Sequence, residues 1–344
     1  MRDRSAPVLT MTGAGASLAA GPRPLQWRRV ARMLLDNIVW LILALCLIVF
    51  SLAITGFASY ENYVNILYQS VFIAILGIAE AFVLISGNMD LSVESVAACT
   101  AIISVWLCAS SPYASGLHVN TWAALAMVLL IGAGIGAFNA FFVLRLKVDS
   151  FLVTLSTYIA VKGLAVLITG GMGMNGLPAA FRLLDTAKVF RIPLMVFLML
   201  LFYFLFSVLL RRTRFGRHVY IIGGNKTAAY NFGISVNRVL LGVFVLSGVI
   251  SAITGWFMAA RTNGATAGMA TGFLFEVLAA VVIGGVSLSG GMGSLVGVFA
   301  GALILSSMHS ALNITAASPF LTEVMRGLLI LVAVVLDALR RMFR

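Results

Sequence analysis

Five ionisable residues stand inside stretches that are otherwise apolar: Glu80, Glu94, Lys162, Glu276 and Arg326. A charge in hydrocarbon is costly, so each must face protein, water or a partner charge. Two roles fit them. They can fix helix packing through interhelical hydrogen bonds, or they can line a polar route through a membrane, with the Asn139 amide contributing. A proton or sodium relay would be favoured by a run of acidic residues on one helix, and there is no such run. Covalent chemistry has less to draw on. Cys46, Cys99 and Cys108 lie in or at the ends of apolar runs without metal-ligand spacing and read as small packing residues. His118, His218 and His309 are scattered and form no ligand cluster. No serine or cysteine nucleophile has a fitting base, and the glycine-rich stretch Ser289–Ser294 lacks the Lys-Ser/Thr ending of a phosphate-binding loop. The sequence therefore predicts no catalytic residue, no metal and no cofactor. The chain reads as a protein that is not itself an enzyme.

The elements holding these residues follow from composition. Hydrophobic residues make up 61% of the chain and charged residues 10%, against about 25% charged in soluble domains. Apolar runs of about 20 residues, enough to cross a bilayer, recur along the whole length. The expected fold is all-α, a polytopic membrane protein. A transmembrane barrel would show shorter, alternating segments. The formal charge of +12 matters here through its placement and does not indicate nucleic acid.

Taken in order, residues 1–36 lack sustained periodicity and read as a disordered, uncleaved tail on the cytoplasmic side. The remainder, 37–344, holds expected spans at Asn37–Gly56, Tyr63–Ser86, Leu91–Ala109, Trp122–Leu144, Ser150–Thr169, Ile192–Leu210, Val239–Ala260, Phe275–Leu288, Ser294–Leu312 and Phe320–Leu339. This gives about ten transmembrane helices with both termini cytoplasmic. Most of the 23 Lys and Arg then fall inside, while Arg182, Lys188, Arg191 and Arg261 fall outside. The outer connection Gly170–Arg191 contains Ala179–Phe190, which is predicted as a short surface helix or a structured loop.

Two interruptions look alike. Gly87-Asn88-Met89-Asp90-Leu91-Ser92 separates the second and third spans, and Gly284-Gly285-Val286-Ser287-Leu288-Ser289 follows the eighth. Both read Gly, three residues, Leu-Ser, as in transporters built from repeats, although small residues also match by chance. Asp90 is placed to cap the following helix by accepting backbone N–H bonds near Ser92. Broken helix ends can also line a solute path, which makes Asn88, Asp90 and Ser287 candidates together with Glu80, Glu94, Asn139 and Glu276. Gly132-Ala133-Gly134-Ile135-Gly136 and Gly297-x-x-x-Gly301 carry the small-residue spacing of close helix packing.

The longest polar interval, residues 211–238, opens with Arg211, Arg212, Arg214, Arg217 and His218 directly after an apolar run. Basic residues beside a span are held on the cytoplasmic side. Long, rich in small residues and bounded by spans, this loop fits a docking surface for a soluble partner.

These features together resemble the permease subunits of the ribose/xylose/galactose-type ABC sugar importers. The residues carrying the resemblance are GNMDLSVESV (87–96), GRHVYIIGGNKTAAYNFGI (216–234), AAVVIGGVSLSGGMGSLVGVFAGA (279–302) and SPFLTEVMRGLLILVAVVLD (318–337). The resemblance implies a multi-pass bacterial inner-membrane permease that pairs with a second permease subunit. It also implies ATP-binding cassette ATPases in the cytoplasm and a periplasmic substrate-binding protein, with lipid around the helices. By that resemblance Gly223, Gly224, Asn225, Ala228, Ala229 and Gly233, flanked by Arg214, Gly216 and Arg217, look like the part that meets the ATPase. The chain has Asn88 and Glu94 where the family pattern Gly-Gly-Ile-Asp-Leu-Ser-Val-Gly has glycines, and Glu276 where an Asp is common. These departures bear on which sugar or polyol is carried. The alternatives are a permease of the related branched-chain amino acid importers and a self-sufficient ion-coupled carrier.

Overall fold

The computed structural model describes residues 38–109, 114–115, 117–318 and, beyond them, 320–321, 324–325, 327–328, 331 and 335. The tail 1–36, Arg326 and the closing Arg340, Arg341 and Arg344 lie outside the described residues, as does much of the expected span Phe320–Leu339.

The described chain is built almost wholly of helices: α1 (Ile38–Ala53), α2 (Tyr60–Ile85), α3 (Val93–Cys108), α4 (Thr121–Arg145) and α5 (Ser150–Thr169). After α5 comes α6 (Ala179–Thr186), then α7 (Leu194–Arg212), α8 (Arg214–Gly224), α9 (Lys226–Asn231) and α10 (Val236–Thr262). Last come α11 (Phe273–Ile283) and α12 (Leu295–Ile314). Side-chain caps set several starts. Ser59, Asn120, Asp149 and Ser294 accept backbone N–H bonds at the heads of α2, α4, α5 and α12. Gly170 closes α5 in the left-handed conformation, φ 59°.

Among the described residues, 6 helices are long and apolar enough to cross a membrane: α2, α4, α5, α7, α10 and α12. The protein is thus multi-pass. The expected spans between residues 37 and 312 correspond to helices within a few residues, except where a helix proves short. The segment expected as Phe275–Leu288 yields only the 11 residues of α11, about 16 Å of helix, too short to cross alone. The helices α1 and α3, with 16 residues each, also fall short of about 20.

The helices sort by environment. From Ser70 to Ile85 α2 is buried on every side, as are most of α10 and α12, whereas α4, α5 and α7 bury a minority of their residues. Helices apolar all round lie at the centre, and the others turn exposed apolar side chains outward, among them Leu130, Phe138, Leu167 and Phe204. Glycine lets the central helices touch backbone to backbone. A Cβ on Gly132 or Gly136 of α4 would collide with the Gly248 or Phe244 carbonyl of α10, and one on Gly297 or Gly301 with the Gly284 or Ala280 carbonyl. Gly134, out of phase by half a turn, meets nothing.

The predicted surface helix is present as α6. Phe181 is buried and stacks on Trp256 of α10 at 3.9 Å, and Asp185 accepts from the Tyr68 hydroxyl, so the helix lies against the bundle. Two small ribbons complete this end. One pairs β2 (Lys188–Val189) with β3 (Ile192–Pro193); the other pairs β1 (Met174–Asn175) with β4 (Gly264–Ala265), antiparallel. The second ribbon anchors the chain that leads into α11.

Candidate functional site

The two helix breaks have the same construction. Beyond α2 the chain turns through Gly87, φ 78°, with Asn88 N–H donating to the Val83 carbonyl; beyond α11 it turns through Gly285, φ 88°, with Val286 N–H donating to the Val281 carbonyl. Each is a left-handed glycine stop. A two-residue side-chain turn follows in both. Asp90 Oδ1 accepts from Ser92 N–H at 3.0 Å, and Ser287 Oγ accepts from Ser289 N–H at 3.2 Å. The stop glycines pair Gly87 with Gly285, whereas the side-chain turns pair Asp90 with Ser287 and Ser92 with Ser289, the register of Gly87 with Gly284 read from sequence.

Polar groups freed at the first break are taken up inside the protein. Met89 N–H donates to Ser150 Oγ and Leu91 N–H to Thr154 Oγ1, both on α5. Asp90 is buried, and beside the Ser92 N–H at its Oδ1, its Oδ2 accepts from Ser247 of α10 at 2.7 Å. Asn139 donates to Ser92 Oγ and accepts from Thr157, so both ends of its amide are used. Glu80 is fully buried and approaches the Asp90 backbone without a formed hydrogen bond. Asn88, half-buried, donates to the Ser86 carbonyl and hydroxyl. These residues hold the break in shape.

Glu94 joins three helices. Oε1 accepts from Tyr158 at 3.1 Å, and the Tyr158 hydroxyl in turn accepts from Lys162 Nζ at 3.1 Å, both on α5. Oε2 accepts from Leu274 N–H at 3.0 Å, in the first turn of α11. A carboxylate at the positive end of a helix is favourable. The short α11 therefore begins deep in the bundle, opposite the start of α3. Glu276, 2% exposed, sits in that same first turn, with Oε1 3.7 Å from His309 Nε2 of α12.

The polar interval 211–238 folds as α8 and α9 instead of an open loop. Thr213 and Asn225 cap the helices by accepting from Gly216 N–H and Ala228 N–H. Phe215 stacks on Phe82 and holds α8 against α2. The segment divides into an outward and an inward set. Arg214, Arg217, Gly224, Asn225 and Gly233 are exposed, Ala228 is half-buried, and Gly216 and Ala229 are buried beneath them. Sequence reasoning missed the most prominent outward groups, Tyr230 at 75% and Phe232 at 83% exposed. Two exposed aromatics among polar neighbours were the available signal.

The inward side of α8 meets both breaks mainly through backbone. Gly223 lies where a Cβ would run into the Ile85 carbonyl and Gly291 N–H, and Gly291 N–H itself donates to the Ile85 carbonyl at 2.9 Å. Gly290, φ 83°, is backed against Gly87 and the Gly223 carbonyl, and Gly291, φ 74°, against Gly224. One side chain joins them: the Tyr220 hydroxyl donates to the Gly293 carbonyl at 2.7 Å. Burial raises the Tyr220 phenol pKa, partly offset by Arg211, so the hydroxyl stays a donor at neutral pH. The surface helices and both breaks thus form one glycine-packed junction.

Residues 62–334 match the protein family described as branched-chain amino acid transport system / permease component. Among curated proteins, a ribose import permease protein of Haemophilus influenzae is 31% identical over 313 residues, covering 90% of this chain and 95% of that protein. An L-arabinose transport system permease protein of Escherichia coli is 36% identical over 256 residues, covering 74% of this chain and 76% of that protein. A probable ABC transporter permease protein of Escherichia coli is 34% identical over 304 residues, 87% of this chain and 88% of that protein. No solved structure matches the chain.

Proposed function

The chain belongs to the branched-chain amino acid transport system / permease component family, and on that footing we propose that it is the membrane permease of an ATP-driven sugar importer. The relatives named for ribose and arabinose span most of this chain, which favours a sugar or polyol as cargo. ATP hydrolysis resides in partner cassette subunits, cargo arrives on a periplasmic binding protein, and a second permease subunit completes the pathway. The exposed face of α8 and α9, with its arginines, Tyr230 and Phe232, is the docking surface and lies in the cytoplasm. Both termini lie on that same side, the membrane is the bacterial inner membrane, and about ten passes are made when the three short apolar helices and the expected span Phe320–Leu339 are added to the six long ones.

The junction carries this reading. Nucleotide-driven movement of partner subunits against α8 and α9 is passed through Gly223 to the ends of α2 and α11 together. Contact by backbone leaves no slack, because no rotamer can absorb the push. Asp90, Asn139 and Glu94 then keep α3, α4, α5 and α10 in register with the moving breaks. Asn88 and Ser287 border the junction, and Glu276 is the pathway residue among the candidates.

The test is reconstitution with the ATPase and binding protein in proteoliposomes. ATP-dependent uptake of a sugar is the expected result. Uptake driven by an ion gradient without ATPase would replace this reading with a self-sufficient carrier. A binding protein that takes branched-chain amino acids and no sugar would select the other substrate class in the family's description.

A further inference from the structure

A polar cavity of about 350 Å³ opens between α2, α10, α11 and α12, within the range of about 300–1,000 Å³ typical of small-molecule sites. Its lining brings together groups far apart in sequence: Gln69 of α2, Arg261 of α10, Glu276 of α11, and Ser306, His309 and Asn313 of α12. Phe72, Ile73 and Phe273 supply apolar surface between them. Asn313 is exposed and Glu276 buried, so the cavity runs inward from the bundle end opposite α8 and α9. Its floor is the first turn of α11, the turn that Glu94 caps.

The site is held in place by the fold. Arg261 is seated over the Tyr68 ring at 4.3 Å and the Phe72 ring at 5.2 Å, which fixes a planar donor group at the wall. Ser306 is fully buried, and its hydroxyl has no hydrogen-bond partner among the described residues. A buried hydroxyl without a partner is costly unless a ligand or water completes it.

We propose that this cavity is a binding subsite for a neutral polyhydroxylated solute of the sugar or polyol class; the proposal rests on the importer reading. Glu276 accepts from a pair of adjacent hydroxyls, and Arg261, Gln69 and Asn313 donate to ring or hydroxyl oxygens. Ser306 and His309 can each donate or accept. The Phe273 ring meets the apolar C–H face that such solutes present. The wall carries both signs of charge, Arg261 and Glu276 with His309 3.7 Å from the carboxylate, beside amides and a hydroxyl, a mixed lining that the hydroxyls of an uncharged ligand can use as donors and acceptors. A divalent cation is poorly served, since no group of three or more His, Cys, Asp or Glu able to hold a metal exists among the described residues. An amino acid would pair its charges with Arg261 and Glu276 and lay its side chain on Phe72, Ile73 and Phe273, so leucine is the competing probe in the test.

The experiment uses the purified permease in nanodiscs, without binding protein, and equilibrium binding of radiolabelled D-ribose, L-arabinose, xylitol, gluconate and leucine. Saturable binding of at least one neutral probe is expected. It should weaken more than tenfold in Glu276→Gln and several-fold in Ser306→Ala and Asn313→Ala, the last being an exposed position that spares folding. Thermal unfolding of each variant checks that the fold persists. Full-strength binding in all three variants, no binding of any neutral probe, or preference for leucine or gluconate would each overturn the subsite. Loss of the subsite leaves the importer reading standing if the reconstituted complex still takes up sugar on ATP. Absence of ATP-driven uptake in that complex overturns the reading itself.

Discussion

The two ends of the bundle are made of different material. At the end bearing α8 and α9, contacts between the surface helices and the breaks are backbone on backbone, through Gly87, Gly223, Gly290 and Gly291. At the opposite end, Gln69, Arg261, Glu276, Ser306 and His309 surround a cavity with side chains. The difference teaches a division of labour. A side-chain-free contact is stiff and carries no chemical information, so it suits transmission of displacement. A polar cavity discriminates among solutes but yields when pushed. The short α11 connects the two, with Glu276 at one end and the second break at the other.

That division can be broken by experiment. The largest effect is expected from Gly223→Leu, which forces a side chain into the Ile85 carbonyl and Gly291 N–H. Uptake should fall to background and the protein should lose about 1–3 kcal/mol of stability, as overpacking does; vesicle uptake and thermal unfolding report both. Gly224→Trp with Ala228→Trp should likewise abolish uptake yet leave membrane insertion and stability unchanged. A Cβ on Gly224 meets no atom within 4 Å in this chain. Normal uptake in that double variant would remove α8 and α9 as the contact. Next, Phe232→Asp should weaken co-purification of the ATPase by roughly tenfold or more, the scale of about 2 kcal/mol for an interface anchor. The smallest change is expected for Tyr220→Phe, which deletes one hydrogen bond worth about 0.5–1.5 kcal/mol and should slow uptake a few-fold. All four should lower maximal rate while keeping the order of sugar preference. A junction variant that reorders sugar preference would show that the two ends are not separate in function.

Much of this was legible in the chain. The apolar run lengths fixed an all-helical, multi-pass protein, because a backbone in lipid must satisfy its own hydrogen bonds. Helix starts at Ser59, Asp149 and Ser294 and the stop at Gly170 follow from local capping chemistry. The i, i+4 spacing of Gly132 with Gly136, and of Gly297 with Gly301, announced close packing, since one helix face alone decides it. The resemblance of the two breaks was visible as well, and its register holds for the side-chain turns; only the stop glycine lies one residue on, because sequence does not say which of two adjacent glycines takes positive φ.

Other features depend on which distant segments meet, and no local pattern encodes that. The polar interval looked like a loop because helices as short as α8 and α9 gain their stability from docking, as where Phe215 of α8 is set on Phe82. His309 seemed isolated until α12 brought it 3.7 Å from Glu276. Asp90 read as a helix cap, and Asn139 and Glu94 as packing or pathway groups, but the partners that hold them, Ser247, Thr157 and Leu274, lie on other helices and could not be named from the sequence. Sequence by itself thus determined that this chain crosses the membrane, where its helices break and which family pattern it carries, because those depend on hydropathy, capping and short motifs. Only the tertiary structure decided that both breaks rest on one glycine junction and that polar groups from four helices share one cavity, because such contacts join residues more than 100 positions apart, as from Ile85 to Gly291, and loop closure leaves no mark on local composition.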